Sequence, residues 1–67
     1  MPVTEIHVVG GGRYRVEGAA KDVERLILSA ARGSIMELVW LTDLDANSPI
    51  GINPEYVVAL RSGEADG

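Results

Sequence analysis

Hydrophobic and polar residues alternate in two short runs at the start of the chain. "VTEIHVV", residues 3–9, alternates from Val3 to Glu5 and again through Ile6, His7 and Val8. "RYRVE", residues 13–17, places Tyr14 and Val16 on one face and its charged residues on the other. A period of two is typical of a strand with one buried face. The intervening "GGG" supplies residues that readily adopt the positive φ of a tight reversal. The pattern therefore predicts a β-hairpin.

The next segment, "AAKDVERLILSAAR" at residues 19–32, has helical periodicity instead. Its apolar positions recur at spacings of three and four, at Ala20, Val23, Leu26, Ile27 and Ala30. Acidic Asp22 and Glu24 near its start and Arg32 near its end suit the helix dipole, and Gly33 is a natural stop. We expect one helix whose apolar stripe packs on the sheet, against Ile6, Val8, Tyr14 and Val16.

A third segment, "SIMELVWLTD" at residues 34–43, is apolar on both faces of a predicted strand. One face carries Ile35, Val39 and Leu41, and the other carries Met36, Leu38 and Trp40. Such a strand is normally covered on both sides, yet one helix covers only one side of a sheet. We therefore expect the second face to be covered by another molecule, by a curled sheet or by a ligand. The predicted interface residues are Ile35, Val39, Trp40 and Leu41, with the aromatic Trp40 favoured at a subunit contact.

The last third of the chain changes pattern several times. "DLDANSP", residues 43–49, is a run of turn formers, after which "IGI" at 50–52 returns as a strand. Asn53 before Pro54 is a helix cap followed by a proline in the first turn, which predicts a short helical turn at a corner of the sheet. "VVALR" then predicts a final strand, and the polar residues 62–67 predict a disordered tail.

Together these elements predict an α+β fold, with one helix packed on a mostly antiparallel sheet of four or five strands. Their order is β-β-α-β-β-turn-β. At 67 residues the chain has room for a single core, and we expect one domain over residues 1–61. It has no cysteine, which excludes disulfides and thiolate metal sites. No apolar stretch approaches the ~20 residues that span a bilayer, so we expect a cytoplasmic protein without a membrane partner.

The net charge of the chain narrows the range of functions that we expect. The net charge is −4 at pH 7, whereas nucleic-acid-binding proteins normally present a basic patch. Nucleic acid is therefore not the expected partner. A nucleic-acid-associated function would require Arg13, Arg15 and Arg61 to cluster on one surface.

Motifs for catalysis or cofactor binding are incomplete. "GGG" lies between two predicted strands and precedes Arg13, whereas a phosphate loop joins a strand to a helix and carries a Lys. "DLDAN" matches only the first half of a calcium loop, because Pro54 occupies the position of its essential Glu. His7, the only histidine, has no partner at ligand or catalytic spacing. We therefore expect no enzyme, no cofactor and no bound metal.

A resemblance is carried by "YRVEGAAKDVERLILSAARG", "LVWLTD" and "GINPEYVVALR". These stretches resemble small proteins common in actinobacteria, whose function is not established, over about residues 5–61. The resemblance implies a short hairpin, a helix and a final strand, and no functional residue. "INPEYVVAL" is also similar to the Asn-Pro turn before a strand in flagellar FlbD-type proteins, over under a dozen residues.

The hypothesis from the sequence is a small non-enzymatic protein–protein interaction module that acts as a homodimer or as an adaptor. Its basis is a strand apolar on both faces in a chain too small to cover both. The alternatives are a small-molecule-binding protein, which would use the uncovered face as a pocket, and a nucleic-acid-associated regulator.

Overall fold

A computed structural model describes residues 2–33 and 37–64 of the chain. Within these residues it contains five strands and one α-helix, in the predicted order. They are β1 (Pro2–Val8), β2 (Arg13–Glu17), α1 (Ala20–Ala31), β3 (Val39–Asp43), β4 (Ser48–Ile52) and β5 (Val57–Glu64), with a 3₁₀ turn at Pro54–Tyr56 between β4 and β5. The predicted α+β class is confirmed, and so is the short helical turn after Asn53.

The five strands form one sheet in the order β4-β3-β2-β1-β5, and every neighbouring pair is antiparallel. β1 lies between β2 and β5, so that Ile6 pairs with Tyr14 on one side and with Leu60 on the other. β2 and β3 share one registered pair in the described part of the chain, Val16 with Asp43. The sheet is therefore two well-paired units, β2-β1-β5 and β3-β4, joined by a short contact.

The connection from β4 to β5 requires the sheet to curl. These strands lie at opposite edges of the sheet, and four spacings of about 4.8 Å would place the edges of a flat sheet about 19 Å apart. The link contains a 3₁₀ turn that rises only about 2 Å per residue, so that it reaches roughly 13 Å. The backbone N–H of Val9 donates to the carbonyl of Tyr56 at 2.8 Å, which holds this corner against the end of β1.

The core lies between α1 and the inner face of the curled sheet. Its buried members are Ile6, Val16, Val23, Ile27, Ala30, Val39, Leu41 and Ile52. The predicted helix stripe is confirmed at three positions and is wrong at Leu26, which is 50% exposed. The helix buries the narrow stripe at spacings of four and three, and Leu26 lies beyond its edge. Within the described residues, no helix has the length and apolar character that crossing a bilayer requires.

Two strand boundaries differ from the expectation. β5 continues to Glu64, whereas residues 62–64 were expected in a disordered tail. Ser62 pairs with Thr4 and Glu64 with Pro2. The edge of β1 that faces away from β2 offers backbone hydrogen-bonding groups, and these pair with a strand whatever its side chains are. β3 begins at Val39, later than predicted. Residues 34–36 and 65–67 lie outside the described residues.

The passage from β2 into α1 depends on Gly18. Its φ is +124°, a region that side chains with a Cβ rarely adopt. Its N–H donates to the carbonyl of Pro2 at 3.1 Å, and its carbonyl accepts from the hydroxyl of the fully buried Thr4 at 2.9 Å. The sharp turn that starts the helix is thus fixed from both sides by β1.

We predict that Gly18→Ala lowers the free energy of unfolding by about 1–3 kcal/mol, because it strains the backbone at positive φ. Gly63→Ala is the matched control, since Gly63 has an ordinary φ and a Cβ there would meet only the carbonyl of Val3 at 3.8 Å. Urea denaturation of both variants measures the difference. Equal stabilities would contradict the role given to Gly18.

Candidate functional site

The four residues predicted as an interface lie in different places. Val39 and Leu41 point to the inner face of β3 and are only 4% and 8% exposed. Trp40 alternates with these two residues along β3, so that its side chain points away from the core, and it is 64% exposed. Ile35 lies outside the described residues. The expectation that Val39 and Leu41 offer contact surface is therefore corrected: this chain's own core covers them, and only the outward face of β3 is open to a partner.

Trp40 belongs to an exposed apolar area, the Trp40 surface, which consists of Leu26, Leu38 and Trp40. Leu26 comes from α1, and Leu38 and Trp40 come from the entry to β3, so the area joins the helix to the sheet. All three side chains line a shallow groove of about 180 Å³. Large aliphatic and aromatic groups exposed side by side are unusual on a small monomer and mark interaction sites.

Gly51 holds the indole of Trp40 in place. The two residues are paired across β3 and β4. A Cβ added at Gly51 would lie 3.0 Å from Cη2 and Cζ2 of Trp40 and 3.0 Å from Cδ1 of Leu38. The indole and Leu38 therefore rest on bare backbone, and this contact leaves the other face of the ring free for a partner.

A second candidate site is a cleft at the corner between β4 and β5. Because the sheet curls, residues from β4 approach the end of the β1–β2 hairpin there. The cleft measures about 180 Å³, and it is lined by Val8, Val9, Tyr14, Ile50, Gly51, Ile52, Asn53 and Tyr56. The side chain of Asn53 accepts from the backbone N–H of Glu55 at 2.9 Å, as expected for a cap. The lining is apolar apart from this amide and two phenol groups, which suits a small, largely apolar ligand.

The three arginines required by the nucleic-acid alternative do share the outer face of the sheet. Glu5 of β1 is paired with Arg15 of β2 on one side and with Arg61 of β5 on the other. Arg13 lies one pair further along, opposite His7. The charges on this face are nearly balanced, however. Arg15 forms an ion pair with Asp45 at 2.8 Å, and the carboxylate of Glu5 lies between Arg15 and Arg61.

His7 and Glu5 form the most specific polar contact on this face. His7 Nε2 lies 2.7 Å from Glu5 Oε1, and both side chains are about one-third exposed. The hydrogen bond from His7 lowers the pKa of Glu5 below its ordinary value, with smaller contributions from the charges of His7, Arg13 and Arg61 and an opposing effect of desolvation. This pair is a local hydrogen-bonded contact between two residues on the same face of β1.

The incomplete motifs have structural roles in the described residues. "GGG" forms the β1–β2 turn, where Gly10 and Gly11 have φ values of +93° and +92°. Asp43 Oδ1 accepts from the backbone N–H groups of Asp45 and Ala46 at 3.0 and 3.3 Å, which makes "DLDAN" a hairpin turn with side-chain support. Within residues 2–33 and 37–64, no three His, Asp or Glu side chains converge as a metal site would require.

Comparisons with protein-family models, with curated proteins and with solved structures find no match to this chain. The resemblance of residues 5–61 to small actinobacterial proteins therefore stays a prediction. The surfaces described above are what indicates a function.

We predict that His7→Ala raises the pKa of Glu5 more than Arg61→Gln does, because the hydrogen bond from His7 is the larger cause of its lowering. A group whose pKa is lowered by folding stabilises the folded state above its ordinary value, here 4.5, and that stabilisation is lost as the pH falls through the lowered pKa. Glu5→Gln should therefore flatten the loss of stability below this pH. Carbon-detected NMR titration of Glu5 measures the pKa, and a larger rise in Arg61→Gln would contradict the ranking.

Proposed function

We propose that this chain is a small, non-enzymatic protein–protein interaction module of the cytoplasm that docks onto a partner protein through the Trp40 surface. The observation that carries the proposal is the exposed indole of Trp40, 64% accessible and seated on Gly51. Trp is among the residues most enriched at the energetic centres of protein interfaces. A ring already supported by Leu38 and Gly51 loses little conformational freedom on binding, which favours affinity.

The composition of this surface suits a protein partner. Leu26, Leu38 and Trp40 provide an apolar centre, and Glu37 and Ser29 lie in the same groove as polar groups at its side. An apolar centre with polar groups around it is the usual arrangement of a protein interface. Without a partner, these side chains keep their apolar area in contact with water.

A small-molecule-binding protein is the second candidate function, and the cleft lined by Tyr14 and Tyr56 favours it. A ligand that binds only the folded chain raises its melting temperature in proportion to the logarithm of its concentration. We expect stabilisation by a small apolar ligand to disappear in Tyr56→Ala and to persist in Trp40→Ser if the cleft is the binding site. The reverse pattern would place the ligand on the Trp40 surface.

The proposal for the Trp40 surface is tested by site-specific photo-crosslinking in the native cells. A photoreactive residue replaces Trp40 in one variant and Leu28 in the control, since Leu28 is a similarly exposed apolar residue of α1 outside the Trp40 surface. We expect one defined protein to be crosslinked from position 40 and not from position 28. Its binding to the purified chain should weaken about tenfold or more in Trp40→Ser, as for the loss of a central interface aromatic.

Equal crosslinking from both positions, or binding that is unchanged in Trp40→Ser, would contradict the proposal. Crosslinking of position 40 to a second copy of this chain would make the Trp40 surface a self-interface. The module would then act as a homodimer through the residue predicted from the sequence.

A further inference from the structure

We infer that the outer edge of β5, with the groove beside Leu60, is a two-fold self-interface through which two copies of this chain join their sheets. This surface is separate from the Trp40 surface, so the inference goes beyond the proposed function. It rests on three observations: the two edge strands differ in length and proline content, the side chains of β5 allow antiparallel pairing with a second β5, and opposite charges lie beside Leu60.

The two edge strands differ in how they are protected. β4 has five residues and contains Pro49, which lacks a backbone donor and blunts an edge. β5 has eight residues and no proline, and no strand of the described residues pairs with its outer side. A long edge with unpaired N–H and C=O groups is satisfied most completely by another strand. The open edge of this sheet is therefore β5.

The side chains of β5 suit antiparallel pairing with a second copy of itself. Leu60 pairs with Ile6 and faces the helix side, whereas Ala59 and Arg61 pair with His7 and Glu5 and face the outer side. A two-fold axis at Leu60 sets Leu60 against Leu60 of the second copy. Arg61 then lies opposite Ala59 of the second copy, so that this register places no like charges opposite each other. Each position also meets one that faces the same side of the sheet, as pairing requires.

The groove beside Leu60 supplies matching charges. It measures about 200 Å³, lies between the start of α1 and β5, and is lined by Ala20, Lys21, Glu24 and Leu60. A two-fold interface brings the same surface of both copies together. Every contact between two different residues therefore occurs twice, once in each direction. Lys21 of each copy then meets Glu24 of the other, while the two Leu60 side chains fill the groove.

Such a dimer leaves the Trp40 surface uncovered. Trp40 lies on β3, which is not an edge strand, and the groove of the Trp40 surface shares no lining residue with the groove beside Leu60. The dimer therefore presents two copies of the Trp40 surface, which would allow two-site attachment to a partner with repeated sites.

The test is a charge exchange measured by sedimentation velocity over a dilution series. We expect the wild-type chain to be a dimer whose dissociation constant rises about tenfold in Lys21→Glu and in Glu24→Lys, because each change places two pairs of like charges at the interface. The double variant K21E/E24K should return to within a few-fold of wild type. Arg25→Glu is the control, because Arg25 bonds to Asp22 outside the groove, and it should not change the constant.

A wild-type chain that stays monomeric at all concentrations would overturn the inference, as would a dimer that both single variants leave intact. A dimer lost in Trp40→Ser would also overturn it and would assign self-association to the Trp40 surface. Circular dichroism of each variant is the control for its folding. Concentration-dependent protection of β5 amides from hydrogen exchange should accompany the dimer, and protection of β4 amides instead would place the contact at the other edge.

Discussion

The short link between β4 and β5 is the constraint on which the rest of the structure depends. Residues 53–56 must join strands at opposite edges of a five-stranded sheet, and their reach forces the sheet to curl. Because the sheet curls, one helix of twelve residues can cover its inner face. On a flat sheet of five strands the same helix would leave part of that face exposed. It also brings β4 toward the β1–β2 hairpin, which forms the cleft between Tyr14 and Tyr56. The Asn53 cap and the bond from Val9 to Tyr56 hold this corner.

The division between a covered and an open face follows from the curl. Val39 and Leu41 lie inside with α1, and the outward positions of the same strand have no cover in this chain. The outer face is charged along β1, β2 and β5, where Glu5 lies between Arg15 and Arg61 and Arg15 forms an ion pair with Asp45. Around Trp40 and Leu38 it exposes large apolar side chains instead. Function, as proposed, is thus concentrated where the outer face is not charged.

The sequence predicted the elements well because their patterns are local. The helix at 20–31, the hairpin around "GGG" and the Asn53–Pro54 corner each follow from spacing or from turn residues. Long-range arrangement was predicted only in part: the helix stripe packs on Ile6 and Val16 as expected, but other contacts were missed. Two apolar faces on one strand do not indicate which the helix covers, and Val39 was therefore placed at an interface instead of in the core. Backbone pairing with β1 extended β5 through Ser62. The order of strands in the sheet, which no short sequence pattern encodes, placed Arg13, Arg15 and Arg61 on one face.

The central claim is that Trp40 is open to solvent in the isolated protein. Trp40 is the only tryptophan, so acrylamide quenching of its fluorescence reports on this residue alone. The account predicts efficient quenching, close to that of the unfolded chain in urea, at dilute and at high protein concentration alike. A shielded indole in the dilute protein would contradict the exposed face on which the proposed function depends. Shielding that appears only at high concentration would contradict a dimer that leaves the Trp40 surface free.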